Sequence, residues 1–286
     1  MSEAPSRVTS MTVLDECSFG LDGGAMFGIV PRPLWERSIP PDAQHRIPMR
    51  SRLLLLDVDG GIRRILIDTG MGCAWDPKER AIYAVEHPNG SLNDHLASLG
   101  VPAESVTDVV LTHLHFDHAG GLLREDGRAS FPNATHHVQR ENWVWAHHPT
   151  LRDAGSYRRD RFGWLGVGGN LVLHDGLSRV ADVLTLHPMF GHTPGMQIVD
   201  FEYQSQRYLH VADLVPTAAH VPLAWVMGYD LHPATTVREK YALYEDALRT
   251  DAILIPGHDP HRAFVRVERR GPDRYAAMAV GDHPAG

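Results

Sequence analysis

The chain has 286 residues, 43% of them hydrophobic and 22% charged, with a formal net charge of −8. That length buries a sizeable core in one large domain or two small ones, and the acidic balance argues against nucleic-acid and anionic-membrane partners. Cys17 and Cys73 are the only cysteines, too few for a disulfide framework. No apolar run reaches bilayer length and the N-terminus shows no basic-then-apolar leader, so a cytoplasmic location is the default expectation.

In chain order, residues 23–35 come first among the stretches that resist regular structure. They combine Gly23, Gly24, Gly28, Pro31 and Pro33 with Met26, Phe27, Ile29 and Trp35, and read as part of an N-terminal substrate loop near residues 20–50. Residues 52–57 and 63–68 read as two strands joined by a turn at Asp59-Gly60-Gly61. Residues 91–99 read as a short helix stopped by Gly100, with Pro102 beyond it. A buried strand is expected over 107–111 and a helix over 142–147, where Trp143, Val144 and Trp145 precede Pro149. Residues 148–170 form a second irregular segment, mixing Arg152, Arg158, Arg159 and Arg161 with Tyr157, Phe162 and Trp164.

Strands follow over 180–186, 197–201 and 207–212. A helix over 235–248 places Val237, Tyr241, Tyr244 and Leu248 at helical spacing, and 252–255 is expected to be the final strand. This order suggests two similar βα halves packed sheet on sheet with helices outside. Without a linker or an internal repeat, one domain over residues 1–286 is expected.

The chemistry is carried by residues just beyond four of the apolar runs. His113-Leu-His115-Phe-Asp117-His118 follows Val109-Val110-Leu111, and His192 lies in Gly191-His-Thr-Pro-Gly195. Asp213 follows Tyr208-Leu-His-Val-Ala, and His258 follows Ile253-Leu-Ile-Pro-Gly. Imidazole and carboxylate together suit zinc, with cobalt, manganese and iron also acceptable. These residues are too many for one ion, and they are the right number for two ions sharing a carboxylate and a hydroxide. His113 and His115 alternate around Leu114 and can face one ion, while Asp117 and His118 face a second. Two such ions clamp a hydroxide and polarise a carbonyl. Asp68, in Leu66-Ile-Asp-Thr-Gly70, is the natural residue to orient a ligating histidine.

In these residues the chain resembles the metallo-β-lactamase superfamily. The HxHxDH motif matches His113, His115, Asp117 and His118, the later histidines match His192 and His258, and the bridging aspartate matches Asp213. The resemblance covers roughly residues 50 to 262. It implies an α+β fold, a four-layer αββα sandwich with the metals at one edge of the two sheets. It also implies that His113, His115 and His192 hold one ion and that Asp117, His118 and His258 hold the other, with Asp213 between them.

Within the superfamily, Phe116 with Ala119-Gly120-Gly121, residues 212–223 with Asp230, and residues 22–28 resemble the N-acyl homoserine lactonases. Methyl-parathion-type hydrolases share much of this layout. One position departs: where lactonases carry a tyrosine three residues after the bridging aspartate, this chain has Pro216, with Thr217 and His220 nearby as alternative donors.

The expected function is dinuclear, metal-dependent opening of lactone rings, most directly of N-acyl homoserine lactones (quorum quenching). A metal-bridging hydroxide attacks the carbonyl, Asp213 and Asp117 are the catalytic carboxylates, and Asp117 also shuttles a proton. Met26, Phe27, Trp35, His220 and Trp225 are the expected contacts to a small-molecule substrate. An organophosphate or general ester hydrolase, a mononuclear iron persulfide dioxygenase and an inactive scaffold remain as alternatives. The oligomeric state stays open, a homodimer among the options.

Overall fold

Leu53-Leu54-Leu55-Leu56 explains how the layers are built. Successive residues of a strand point to opposite faces. Accordingly Leu53 and Leu55 join the core under the helices, whereas Leu54 and Leu56 join the core between the two sheets. A strand apolar on both faces must be covered on both faces. The computed structural model describes residues 5–168 and 170–280.

The first sheet runs β1 (Val8–Asp22), β2 (Arg46–Val58), β3 (Arg63–Ile67), β4 (Asp108–Val110), β5 (Thr135–Gln139) and β6 (Asn170–His174), in that spatial order. Its first three strands are antiparallel, and β3 to β6 are parallel. The second sheet holds β7 (Ser178–Val180), β8 (Leu184–Met189), β9 (Met196–Tyr203), β10 (Gln206–Ala212), β11 (Ile253–Pro256), β12 (Val265–Gly271) and β13 (Arg274–Ala279), again in sequential order. Only its β10–β11 pair is parallel.

The helices are α1 (Gly23–Phe27), α2 (Arg32–Trp35), α3 (Pro77–Ile82), α4 (Leu92–Ser98), α5 (Phe116–Ala119), α6 (Arg140–His147), α7 (Arg159–Phe162), α8 (Leu165–Gly168) and α9 (Pro233–Thr250). Leu92 and Leu96 of α4, Ala146 of α6, Phe162 of α7 and Leu165 of α8 cover the outer face of the first sheet. Leu243, Tyr244 and Ala247 of α9 cover the outer face of the second. The result is the αββα layering of the metallo-β-lactamase fold. No helix among the described residues is long and apolar enough to cross a membrane.

The expected hairpin, the helix at α4 and the strands β4, β9, β10 and β11 lie where the sequence places them, within the usual uncertainty of element ends. Ser91 caps α4 through a reciprocal box with Asp94.

Several expectations are corrected. The stretch 20–50 is not one loop: β1 extends to Asp22, which caps α1 by accepting from Ala25 N at 2.8 Å, and β2 begins at Arg46. Residues 180–186 are not one strand. Ala181 and Asp182 adopt φ of 53° and 57°, breaking the run into the β7–β8 hairpin. Ile255 does not end the last strand, because β12 and β13 extend the sheet edge beyond it.

The buried stripe of α9 is Thr236, Lys240, Leu243, Tyr244 and Ala247, while Tyr241 and Leu248 are exposed. The irregular stretch 148–170 contains α7 and α8 and ends where β6 begins; its residue 169 lies outside the described residues.

Candidate metal centre

The histidine cluster sits where parallel strands end. Past β4 the chain crosses a short loop into α5, carrying His113, His115, Asp117 and His118. Asp213 follows the carboxyl end of β10 and His258 that of β11, while His192 comes from the loop after the antiparallel strand β8. Loops at the carboxyl ends of parallel strands are a recurrent place for sites, because the chain must turn there and no neighbouring strand fills the space.

The loop bearing α5 lies directly on the loop that follows β3. Thr69 N donates to His118 O at 2.8 Å and Gly121 N donates to Gly70 O at 3.2 Å. A Cβ on Gly120 would stand 2.1 Å from Met71 O, and one on Gly121 would stand 2.1 Å from Thr69 O. Only glycine permits that approach.

Two ligand groups result. His113, His115, His192 and Asp213 form one, and Asp117, His118, Asp213 and His258 form the other; within each, the ligand atoms lie within 4.8 Å of one another. Asp213 divides its oxygens between them. Its Oδ2 is 3.2 Å from His192 Nε2, and its Oδ1 is 3.0 Å from His258 Nε2 and 3.5 Å from His118 Nε2. Asp117 Oδ2 lies 3.5 Å from His258 Nε2 and 3.8 Å from His118 Nε2.

The tautomers follow from what each ring bonds on its far side. His118 Nδ1 bonds Asp68 Oδ2 at 2.8 Å, His192 Nδ1 bonds Asp230 Oδ1 at 2.9 Å and His258 Nδ1 bonds the Arg50 carbonyl at 2.8 Å. Those acceptors take the ring protons, so the Nε2 lone pairs face inward. Yet His118 Nε2 and His258 Nε2 approach to 3.0 Å, His113 Nε2 and His115 Nδ1 to 3.0 Å, and His115 Nδ1 and His192 Nε2 to 3.2 Å. Lone pairs that close repel unless a cation lies between them, and ligands about 2.05 Å from a tetrahedral zinc stand about 3.3 Å apart. The donor set therefore fits a divalent metal in each group.

Electrostatics set the histidines apart. Burial pushes His113 and His115 well below the usual imidazole range, reinforced by the neighbouring imidazoles, and the neutral ring is the ligating form. His118 goes the other way: burial opposes its charge, but Asp117, Asp68 and Asp213 together hold it well above the usual value. Asp213 is held low by His258, His118 and His192 against its own burial.

A cavity of about 260 Å³ opens over the cluster, and His115, Asp117, His192, Asp213 and His258 reach it. Its walls include Leu21, Met26, Met49, Phe116, Met227 and Tyr229. Arg152 braces one wall by donating to the carbonyls of Gly228 and Asp230.

The structure thus brings all the sequence-named ligands together and sets Asp68 behind His118. Met26 lies in the cavity wall. Phe27, Trp35, His220 and Trp225 do not, which corrects the expectation that they meet substrate. Phe27 is fully buried, stacked against Trp35 at 5.2 Å and His220 at 4.4 Å, with Trp225 edge-on at 5.7 Å. Both His220 nitrogens are engaged, Nδ1 with Thr217 Oγ1 at 2.8 Å and Nε2 with the Met26 carbonyl at 2.9 Å. Neither Thr217 nor His220 is therefore free to replace the tyrosine missing at Pro216.

Sequence reasoning gave no role to Asp230, Tyr229 or Arg152. Only Asp230 carried a signal, as part of a resemblance, and nothing there showed that it holds His192.

The sequence pattern of the Metallo-beta-lactamase superfamily matches residues 55–258. Over 172 residues the chain is 33% identical to the N-acyl homoserine lactonase AttM of Rhizobium radiobacter, a match covering 58% of this chain and 63% of that one. The chain thus spans a little under two thirds of that relative's length. A probable metal-dependent hydrolase from Staphylococcus aureus superposes with a TM-score of 0.85 at 27% identity, covering 99% of this chain and 100% of that one. AidC, a dizinc quorum-quenching lactonase in complex with a product, superposes with a TM-score of 0.79 at 19% identity, covering 96% and 95%. At that identity the likeness is one of fold.

Proposed function

This chain belongs to the metallo-β-lactamase superfamily, and from that premise we propose that it is a dinuclear metal-dependent hydrolase that opens lactone rings, N-acyl homoserine lactones first among them. The observation that carries the reading is Asp213, whose two oxygens serve two histidine groups on the floor of an apolar-walled cavity. Two bound ions, zinc the expected pair, would supply Lewis acidity toward a carbonyl and a hydroxide nucleophile near neutral pH.

The chain's own residues supply the rest. Asp117 reaches the cavity floor and is placed to hand a proton to the departing ring oxygen. Tyr229 stands in the cavity wall, and burial, helped by Asp117, Tyr83 and Asp22, pushes its phenol up to about 12. It stays protonated at neutral pH and donates a hydrogen bond to the substrate carbonyl, the part a tyrosine at position 216 would otherwise play. Pro216 itself uses its carbonyl to accept from His258 N at 2.9 Å. Leu21, Met26, Met49, Phe116 and Met227 offer an acyl chain an apolar surface, each buried methylene contributing about 0.8 kcal/mol at best.

The experiment is a hydrolysis panel on metal-loaded protein: homoserine lactones of several acyl lengths, simple lactones, an aryl ester, a phosphotriester and a β-lactam. Homoserine lactones should show the highest kcat/KM at two metals per chain. Two bound metals with phosphotriester turnover and no lactone turnover would sink the substrate assignment. One iron per chain with oxygen uptake would sink the hydrolase.

A further inference from the structure

Arg152 stands where two cavities meet. The cavity over the metal centre adjoins a smaller one of about 200 Å³, and His115, Arg152, Ser156 and Tyr229 line both. The guanidinium donates through Nη2 alone, to the carbonyls of Gly228 and Asp230. Among the described residues its Nε and Nη1 meet no acceptor, and no carboxylate pairs with it. Asp153, the acidic side chain in the smaller cavity's wall, already accepts from Trp145 Nε1 at 2.7 Å and Thr150 Oγ1 at 2.5 Å. Ser156 engages only its backbone, N with Asp153 O at 2.9 Å, and leaves its hydroxyl open. His115 turns Nδ1 toward His113 and His192, at 3.0 and 3.2 Å, while its Nε2 is buried without a partner. The shared wall thus presents several donors that no carboxylate answers.

We propose that Arg152 and Ser156 form a subsite for a second acceptor on the substrate, the exocyclic amide carbonyl of an N-acyl homoserine lactone, and so select amide-bearing lactones over plain ones. The proposal rests on the lactonase reading. In such a substrate two atoms separate the ring carbonyl from the amide carbonyl. A ring held over the metals beside His115 therefore leaves its amide oxygen close to the wall that Arg152 and Ser156 share with that histidine. A charged donor binds a carbonyl more strongly than a neutral one. A site built to hydrogen-bond a polar group also rejects the analogue that lacks it.

Gly155 keeps the place open, since it lines the main cavity and a Cβ there would meet nothing within 4 Å. The competing account is a plain brace between the 148–157 segment and the turn at 228–230. That brace uses one nitrogen of Arg152. It accounts for neither the remaining N–H groups nor the open hydroxyl and the glycine beside them.

The test compares two substrates on the metal-loaded full-length protein: an N-acyl homoserine lactone, and an α-alkyl-γ-butyrolactone of matched length that lacks the amide. The parent should prefer the amide-bearing lactone in kcat/KM by at least about tenfold. Arg152→Met should cut that preference about tenfold or more, and Ser156→Ala about 2- to 10-fold. Loss of the brace near Asp230 harms both substrates and cancels in the ratio. Calorimetric titration with the corresponding N-acyl homoserine lactam gives a readout apart from turnover. The lactam should bind Arg152→Met at least about tenfold more weakly than the parent, and the matched alkyl lactam should lose much less. Gly155→Val should fold normally and lower the same preference by filling the space. A parent that opens neither lactone overturns the lactonase reading and the subsite with it. A parent that opens both alike, or a preference that survives in Arg152→Met with two metals bound, overturns the subsite alone. If Arg152→Met fails to hold its metals, Gly155→Val decides, and a preference kept in that variant overturns the subsite.

Discussion

Asp68 accepts a hydrogen bond from His118 Nδ1 at 2.8 Å while its other oxygen accepts from Thr112 N at 2.7 Å. One carboxylate therefore fixes both the ring that bears a ligating nitrogen and the start of the loop that carries it. Asp68→Asn keeps an acceptor for Thr112 but turns an amide N–H toward His118 Nδ1. Metal affinity should fall about 10- to 100-fold, read by competition with a chromogenic chelator. An unchanged affinity would show that His118 needs no such partner.

Tyr229→Phe removes only a hydroxyl at the cavity wall. If that hydroxyl positions the lactone carbonyl, kcat/KM for homoserine lactones should drop at least about tenfold with metal content unchanged. Parent-like rates in a fully loaded variant would leave the position at Pro216 without a substitute.

Met26 and Phe27 are neighbours with opposite expected effects. Met26 lines the cavity, so Met26→Ala should flatten the rise of kcat/KM with acyl length and spare short lactones. Phe27 is sandwiched between Trp35 and His220. Phe27→Ala should cost about 3–5 kcal/mol of stability and depress short and long substrates alike. Urea unfolding together with a chain-length series separates the two; a selective loss of long substrates in Phe27→Ala would return that ring to the substrate site.

Lys240 is buried in α9, and its ammonium donates to the carbonyls of His220 at 2.6 Å, Pro222 at 2.8 Å and Trp225 at 2.9 Å. It thereby closes the 220–225 segment that backs Phe27. Lys240→Met fits the volume but abandons those carbonyls, and each unsatisfied buried acceptor costs about 1–3 kcal/mol. Equilibrium unfolding should show a loss of at least about 3 kcal/mol; a loss below about 1 kcal/mol would mean the carbonyls find other donors.

Asp108 gathers His137 Nε2 at 3.0 Å, Arg63 at 2.5 Å and Thr107 Oγ1 at 2.6 Å. Burial alone would raise its pKa, but these donors bring it down to about 2. A folded value below the unfolded one means stability that is present above about pH 4 and lost as pH falls toward 2, amounting to about 2 kcal/mol. The stability gap between the parent and Asp108→Asn should therefore be full at pH 7 and shrink below pH 4. A gap constant with pH would put its origin in packing.

The metal ligands were legible because chemistry and punctuation coincide: each follows an apolar run that ends in a loop. Asp68 was legible for the same reason. The aromatic residues near 27, 35 and 225 misled because large apolar side chains on an irregular stretch look alike whether they line a cavity or stack on one another. Periodicity placed α9 but misassigned its buried face, since the buried stripe includes Thr236 and also Lys240, a charged residue satisfied only by the carbonyls of the 220–225 segment. β1 went unnoticed because its bulge breaks the alternation, and β12 because four of its seven residues, Arg266, Glu268, Arg269 and Arg270, are charged.

Gly120 and Gly121 do their work through atoms they lack. A single methyl at either position would collide with the backbone beneath and wedge the two loops apart. That displacement would carry His118 away from Asp68 without touching a ligand. The spacing of the centre is thus set by an omission, so a search for tolerated substitutions should find these two positions as intolerant as the histidines, for a reason that has nothing to do with coordination.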